Sequence, residues 1–325
     1  MKLLVTGGAG FIGSCFIRYM LKKYANYNIT NLDALTYCGN LENLIDIENN
    51  SNYKFVHGNI CDKTLVQELI AEHDCVINFA AESHVDNSIK RPEIFIQTNV
   101  QGTLNLLQAS KDIGVERFLQ ISTDEVYGSL GKNGYFTENT PISPNSPYSA
   151  SKASADLLVR AYYETYGLPI LITRCSNNYG PYQYPEKLIP YFILRLLENK
   201  KVPVYGDGLN VRDWLYVYDH CAAIDKVLHN GNVGEVYNIG GHNEKTNLEI
   251  TKIILEAMGK NEDSIEFVED RLGHDRRYAI CNEKIVSQLG WTPSITFEEG
   301  IKETIKWYLN NQSWIENIKQ KRNKQ

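Results

Sequence analysis

The sequence lacks the features that mark membrane proteins and general nucleic-acid-binding proteins. No apolar run approaches the roughly 18 consecutive residues that a transmembrane helix needs. The 33 Lys and Arg residues are outnumbered by 39 Asp and Glu residues, whereas a nucleic-acid-binding domain is normally basic. We therefore expect neither a membrane nor a nucleic-acid partner.

Cysteine is sparse and has no pattern. The seven cysteines are odd in number, widely scattered and without a C-x-x-C motif: Cys15, Cys38, Cys61, Cys75, Cys175, Cys221 and Cys281. This spacing disfavours a disulfide scaffold and a zinc site. We expect reduced, mostly buried thiols in a cytoplasmic protein that uses no metal.

The chain is long and apolar enough to bury a sizeable core. Its 325 residues, 43% hydrophobic and 22% charged, exclude intrinsic disorder and amount to about two domains. Short apolar runs alternate with amphipathic stretches in the first half and predict strands at 3–5, 29–33, 53–57, 75–81, 117–122 and 170–175. This alternation predicts an α/β fold with a Rossmann-type doubly wound parallel sheet.

The pattern changes after about residue 180. Short β-like runs at 202–205 and 236–239 mix with helices such as 249–258, which predicts a smaller C-terminal α+β domain. We expect residues 1–180 to form the first domain. Residues 181–325 would form mainly the second, with some segments crossing back to the first.

A glycine-rich segment follows the first predicted strand and opens a helix. Gly8-x-Gly10-x-x-Gly13 has the spacing that lets backbone approach a pyrophosphate at a helix N-terminus. Asp33 ends the second strand, 20 residues after Gly13. Its carboxylate would accept hydrogen bonds from ribose hydroxyls and repel a 2′-phosphate, so NAD is favoured over NADP. The alternative is a glycine-rich turn with a surface Asp.

Tyr148 and Lys152 lie four residues apart, on one face of a predicted helix. A nearby ammonium and a positive nicotinamide ring favour the phenolate, so such a tyrosine can accept a proton from a sugar hydroxyl. The spacing is common on amphipathic surface helices. It predicts a catalytic pair here because it follows a dinucleotide-binding motif.

These motifs together resemble the extended short-chain dehydrogenases/reductases, and especially the nucleotide-diphosphoglucose 4,6-dehydratases. The matching segments span most of the chain: 7–13, 79–86 (FAAESHVD), 122–128 (STDEVYG), 146–152 (SPYSASK), 175–181 (CSNNYGP), 185–190 (PEKLIP), 212–216 (RDWLY) and 270–278. The resemblance implies NAD as cofactor and a nucleotide-diphosphate hexose as substrate. It implies that residues 1–180 form the NAD-binding domain with the catalytic residues, and that residues 181–325 form mainly the nucleotide-sugar-binding domain. It also implies a homodimer joined by a four-helix bundle of the helices at 99–113 and 148–166.

Adjacent carboxylates at the end of the fifth predicted strand distinguish the 4,6-dehydratases from the sugar epimerases and decarboxylases of the same family. Asp124 and Glu125 can approach a hexose from different sides, and paired carboxylates in an occluded pocket can divide into one acid and one base. The resemblance implies that Tyr148 with Lys152 accepts the 4-hydroxyl proton, which Thr123 orients. Glu125 then removes the proton on carbon 5, and Asp124 protonates the departing 6-hydroxyl. A strand-end N-cap or solvated turn is the alternative.

Further residues are assigned by the resemblance to the two ligands. Those assigned to NAD are Gly7, Gly10, Phe11, Ile12, Gly13, Asp33, Ala34, Leu35, Thr36, Asn59, Ile60, Phe79, Ala80, Ala81, Ser83, Thr98, Tyr148, Lys152 and Asn178. Those assigned to the nucleotide sugar are Ser83, Thr123, Asn177, Lys187, Leu188, Pro203, Tyr205, Arg212, Asn247, Arg271 and His274.

The substrate and two other functions stay open at this point. The sequence does not identify a residue that would contact the methyl group by which thymine differs from uracil. dTDP-glucose and UDP-glucose therefore both remain candidate substrates in the biosynthesis of a 6-deoxyhexose such as rhamnose. A sugar 4-epimerase of the same fold would need Tyr148 and Lys152 but would have no use for Asp124 and Glu125. A non-catalytic dinucleotide-binding protein would need none of the four.

Overall fold

The computed structural model describes residues 1–270 and 274–322. The strands are β1 Lys2–Thr6, β2 Asn28–Asp33, β3 Tyr53–His57, β4 Cys75–Asn78, β5 Arg117–Thr123, β6 Ile170–Cys175, β7 Asn177–Tyr179, β8 Val202–Tyr205, β9 Val211–Tyr216, β10 Val236–Ile239, β11 Glu244–Thr246 and β12 Ile265–Val268. The helices are α1 Phe11–Lys23, α2 Lys63–Ile70, α3 Val85–Lys90, α4 Pro92–Phe95, α5 Thr103–Ile113, α6 Pro147–Tyr166, α7 Leu188–Leu197, α8 Val217–Asn230, α9 Asn247–Ala257, α10 Glu283–Leu289, α11 Phe297–Asn310 and α12 Gln312–Arg322.

Seven parallel strands form the central sheet, in the order β10-β6-β5-β4-β1-β2-β3. Successive side chains of a strand point to opposite faces. In β1, Leu3 and Val5 join the core under α1 and α8, whereas Leu4 joins the core under α2, α5 and α6. Helices therefore cover both faces, and the predicted Rossmann-type fold is confirmed.

Two smaller sheets lie in the C-terminal half. One has the order β11-β9-β7, and the other pairs β8 with β12. They pack with α7, α9, α11 and α12 around a separate apolar core that includes Phe192, Ile254, Phe297 and Tyr308. The run at 236–239, predicted within this half, instead adds β10 to the edge of the large sheet beside β6.

The boundaries of some predicted elements differ from those observed. The fourth strand ends at Asn78 rather than at residue 81, because the chain then leaves the sheet to border a cavity. The helix predicted at 99–113 begins as a π-helical segment, Ile96–Gly102, which continues into α5. Among the residues that the structure describes, no helix is both long and apolar enough to cross a bilayer.

Candidate active site

A cavity of about 300 Å³ opens at the carboxyl ends of the central strands. Parallel strands bring these ends to one edge, and loops there can surround a ligand. The cavity is lined by residues that follow β1, β2, β4, β5 and β6, among them Gly7, Asp33, Phe79, Thr123 and Ser176. The predicted nucleotide and catalytic motifs therefore meet in one place.

The glycine-rich turn leaves no room for side chains. Gly7 has φ +72°, and a Cβ added there would lie 2.6 Å from the Ala80 nitrogen. A Cβ at Gly13 would lie 2.4 Å from the Gly7 oxygen. Gly10 is the N-cap of α1, and glycine has no side chain that could accept hydrogen bonds from the first N–H groups of the helix. Gly10 also lines the cavity, so this helix N-terminus suits an anion there. The turn fits the diphosphate of a dinucleotide.

Asp33 lies at the end of β2 with its carboxylate held by backbone. Its two oxygens accept hydrogen bonds from the N–H groups of Ala9 at 2.9 Å and Leu35 at 2.8 Å. Burial raises the pKa of Asp33, and these two hydrogen bonds oppose that rise. Ala34 and Thr36 line the cavity beside it, whereas Leu35 does not. The carboxylate has lone pairs left over for hydroxyl groups such as those of a ribose.

Tyr148 and Lys152 both line the cavity from the first turns of α6. A capping box between Ser146 and Ser149 starts this helix immediately around Tyr148. The Lys152 ammonium donates a 2.7 Å hydrogen bond to the Ile121 carbonyl. Tyr148 is 8% exposed and Lys152 4%.

Burial controls the charge states of this pair. It raises the pKa of Tyr148 well above its usual value, with a further rise from Glu125, and it lowers the pKa of Lys152. Removal of the phenol from water is the largest contribution to the raised pKa of Tyr148. The lowering of this pKa by Lys152 together with a nicotinamide ring stays a prediction.

Thr123, Asp124 and Glu125 lie where β5 ends and turns into the cavity. The Thr123 hydroxyl accepts a 3.3 Å hydrogen bond from the Glu125 N–H and donates one of 3.3 Å to Asp124 Oδ1. Thr123, rather than either carboxylate, thus caps the helical turn Asp124–Tyr127. The turn is not solvated, however, since Asp124 is 1% exposed and both carboxylates line the cavity.

Asp124 is placed as a proton donor. Its Oδ2 atom has no hydrogen-bond partner among the described residues. Burial raises the pKa of Asp124 well above its usual value, and the charges of Glu125 and Asp213 raise it further. Arg212 opposes the rise. A carboxyl group with a raised pKa keeps its proton to higher pH than an exposed one and can give it to a leaving group.

Most residues assigned to the two ligands line this cavity. They are Gly7, Gly10, Phe11, Ile12, Gly13, Asp33, Ala34, Thr36, Asn59, Ile60, Phe79, Ala80, Ala81, Ser83, Thr98, Thr123, Tyr148, Lys152, Asn177, Asn178 and Lys187. The Lys187 ammonium donates a 3.1 Å hydrogen bond to the Ser83 carbonyl, so the C-terminal half reaches the loop after β4. Asn178 accepts a 2.9 Å hydrogen bond from His220.

The remaining substrate assignments do not line the cavity. They are Leu188, Pro203, Tyr205, Arg212, Asn247 and His274, and Arg271 lies outside the described residues. His274 hydrogen-bonds Asp270 at 2.6 Å and packs its ring edge-on against Tyr205. The Arg212 guanidinium lies 4.4 Å over the Tyr278 ring. These side chains lie on the C-terminal half.

The cavity also contains residues that were not assigned to either ligand. Cys38, Gly39, Glu82, Gln183, Tyr184 and Glu186 line it. The Tyr37 hydroxyl donates a 3.0 Å hydrogen bond to Glu186, which joins the loop after β2 to the C-terminal half. Glu82 and Glu186 could have been found as neighbours of Ser83 and Lys187, whereas Cys38 and Gly39 carry no chemical signature of their own.

Comparison with known proteins agrees with this arrangement. The family described as GDP-mannose 4,6 dehydratase matches residues 4–304. dTDP-glucose 4,6-dehydratase of Xanthomonas campestris pv. campestris (strain B100) is 53% identical, with 97% of this chain and 95% of the relative covered. The crystal structure of dTDP-glucose 4,6-dehydratase from Bacillus anthracis str. Ames in complex with NAD is 56% identical, with a TM-score of 0.92 over 98% of this chain and 99% of that one.

The epimerase alternative is more distant. The crystal structure of UDP-glucose 4-epimerase from Thermotoga maritima with UDP-glucose is 31% identical, with a TM-score of 0.89 over 96% of this chain and 100% of that one. It shares the fold, but the dehydratases share far more of the sequence. The resemblance stated above is confirmed, and the chain belongs to the 4,6-dehydratase family.

Proposed function

We propose that this protein is an NAD-dependent hydro-lyase that converts dTDP-glucose to water and the nucleotide-linked 4-keto-6-deoxyglucose. The observation that carries the proposal is the buried Asp124 carboxyl with its free Oδ2, beside Glu125 in the cavity of Tyr148. The relatives named dTDP-glucose 4,6-dehydratase support this nucleotide over UDP.

Residues of this chain would hold both ligands at the cavity. The turn of Gly7, Gly10 and Gly13 with the start of α1 would bind the NAD diphosphate, and Asp33 would bind ribose hydroxyls. Residues 1–180 would thus carry the cofactor site and the catalytic residues, and 181–325 would bind mainly the nucleotide sugar. When bound, NAD would supply the redox chemistry, since its nicotinamide ring would accept the hydride from carbon 4 of the sugar and return it at carbon 6.

The proton transfers are the work of four side chains. Tyr148 accepts the proton of the 4-hydroxyl, and the carbonyl formed at carbon 4 makes the carbon 5 hydrogen acidic. Glu125 removes that hydrogen as a proton while Asp124 protonates the departing 6-hydroxyl, which leaves as water. Glu125 then returns its proton to carbon 5. Tyr148 then carries the 4-hydroxyl proton, and Asp124 lacks the proton that left in water. Proton transfer from Tyr148 to Asp124 by way of Thr123, which hydrogen-bonds to both groups, would restore both residues.

Incubation of the protein with NAD and either dTDP-glucose or UDP-glucose tests the proposal. We expect a 4-keto-6-deoxy product by NMR, with a higher kcat/KM for dTDP-glucose. One methyl group in an apolar pocket is worth about 10–200-fold in such a comparison. A galactose epimer without a 4-keto sugar would assign the protein to the epimerases instead.

We also propose that the protein is a cytoplasmic homodimer. All seven cysteines are free, as expected in a reducing compartment. Large apolar side chains are exposed on and beside α3 and α6, among them Ile89 at 47%, Ile96 at 53% and Leu157 at 54%.

Light scattering should therefore give about twice the chain mass of 37.1 kDa. Leu157→Glu should shift the protein toward the monomer, because burying an unpaired carboxylate at an interface is costly. Leu309→Glu, the same change at a side chain 43% exposed on α11 and outside the two helices predicted at the interface, is the control. A wild-type mass of one chain would contradict the dimer.

A further inference from the structure

The segment after β2 links the cofactor cavity to the rest of the molecule. Thr36, Cys38 and Gly39 line the cavity, and the chain then turns through Asn40 and Asn43, each 2% exposed. The Asn40 N–H donates to the Ala9 carbonyl at 3.0 Å, and Asn43 Nδ2 donates to the same carbonyl at 2.9 Å. One backbone oxygen of the glycine-rich turn therefore has two donors from this segment.

Ala9 is the residue through which these contacts can act on a bound cofactor. It is fully buried, and its N–H donates to Asp33 at 2.9 Å. A peptide unit is planar, so fixing the Ala9 carbonyl also fixes the direction of the Gly10 N–H. Gly10 is the N-cap of α1, whose first N–H groups face the cavity. The Gly10 N–H donates to the Gly7 carbonyl at 3.2 Å, so the orientation of the Ala9 peptide sets the shape of the turn that would bind a diphosphate.

The C-terminal helix α12 holds the two asparagines from the other side. Trp314 is 5% exposed, and its indole N–H donates to Asn43 Oδ1 at 2.9 Å. The Lys321 ammonium donates to Asn40 Oδ1 at 2.8 Å. Asn43 therefore uses its amide oxygen for Trp314 and its amide nitrogen for Ala9, which fixes the amide orientation. Residues more than 300 positions apart in sequence are joined through one side chain.

We propose that α12 is a clamp on the glycine-rich turn, in which Trp314 positions Asn43, Asn43 positions the Ala9 carbonyl, and release of NAD is thereby slowed. The inference rests on the proposed function, since it assumes that NAD binds at this turn. An NAD that returns its hydride within each turnover need not leave between turnovers, so slow release suits the reaction. Trp314 and Asn43 are positioning residues, since neither lines the cavity.

The rate at which bound NAD exchanges for isotopically labelled NAD in the holoenzyme tests the clamp. We expect Trp314→Phe to speed exchange by about 5–20-fold, because Asn43 Oδ1 is left buried without its donor. Trp307→Phe is the matched control, since Trp307 packs against the Trp314 ring, whereas the indole hydrogen bond to Asn43 comes from Trp314. It should change exchange less than 2-fold. With NAD and substrate saturating, kcat of Trp314→Phe should stay within about 2-fold of wild type.

A double variant tests whether the effect passes through Asn43. Asn43→Ala should speed exchange at least as much as Trp314→Phe, and adding Trp314→Phe to Asn43→Ala should change nothing further. Additive effects would overturn the proposed route. Lys321→Ala, at an exposed site that should not affect folding, should speed exchange by about 2-fold, whereas Lys319→Ala, which contacts Glu198 instead, should not.

The outcomes separate this inference from the proposed function. Unchanged exchange in both Trp314→Phe and Lys321→Ala, with NAD bound normally by the wild-type protein, would overturn the clamp alone. A wild-type protein that binds no NAD would overturn the proposed function, and the clamp with it.

Discussion

We expect the Asp124→Asn variant to lose dehydration by about 10²–10⁴-fold while still binding NAD, because an amide cannot protonate the departing 6-hydroxyl. Asn keeps the size of the side chain and can still accept the hydrogen bond from Thr123. The measurement is kcat for formation of the 4-keto-6-deoxy product, together with NAD affinity by titration calorimetry.

Glu125→Gln should be equally inactive, but the step that is blocked should be removal of the proton on carbon 5. In Asp124→Asn, Glu125 can still remove the proton on carbon 5 once carbon 4 is oxidised. Substrate recovered from D₂O should then carry deuterium at carbon 5 for Asp124→Asn and not for Glu125→Gln. The reverse pattern would interchange the two roles. A double variant with wild-type dehydration would remove both residues from the mechanism.

The environment of Asp124 also predicts how the Asp124→Asn variant should differ in stability. Its pKa is raised in the folded protein, so its contribution to stability is full at low pH and is lost as pH rises through that pKa. At neutral pH the same carboxyl is ionised in the unfolded chain, so its burial lowers the free energy of unfolding. Asp124→Asn should therefore not lower the melting temperature. The same shift means that kcat should fall as pH rises through the Asp124 pKa, because only the protonated acid is active.

Much of the candidate site could be predicted from motifs within short stretches of the sequence. The turn from Gly7 to Gly13 could be predicted because strand, tight turn and helix follow one another within a few residues. Tyr148 and Lys152 could be paired because a helix places residues four apart on one face. The parallel order of the strands then required the ends of β1, β2 and β5 to meet.

Contacts between distant segments could not be predicted in the same way. The buried ion pair of Arg174 with Asp156 and the link from Trp314 to Asn43 join residues with no shared local pattern. The burial of Tyr148 could not be predicted for a related reason. Spacing reveals which charges are near the phenol, but only the packed structure reveals how completely it is removed from water.

Tyr148→Phe should reduce turnover by about 10²–10⁴-fold, since the variant has no group to accept the 4-hydroxyl proton. NAD binding should persist, because the diphosphate and ribose contacts lie at the glycine-rich turn and Asp33. Tyr162→Phe is the matched control. It removes a hydroxyl from the same helix that hydrogen-bonds Gln108 at 2.9 Å and should leave kcat unchanged.

The direction of the Tyr148 pKa makes the pH profile informative as well. Burial raises this pKa, so the phenolate becomes available only as pH rises, and attraction to Lys152 and to a bound nicotinamide cation must offset the cost. Lys152→Met should therefore move the acidic limb of the kcat profile of the holoenzyme to higher pH. A limb that stays in place would mean that another group titrates there, and near-wild-type turnover by Tyr148→Phe would remove the phenol from the reaction.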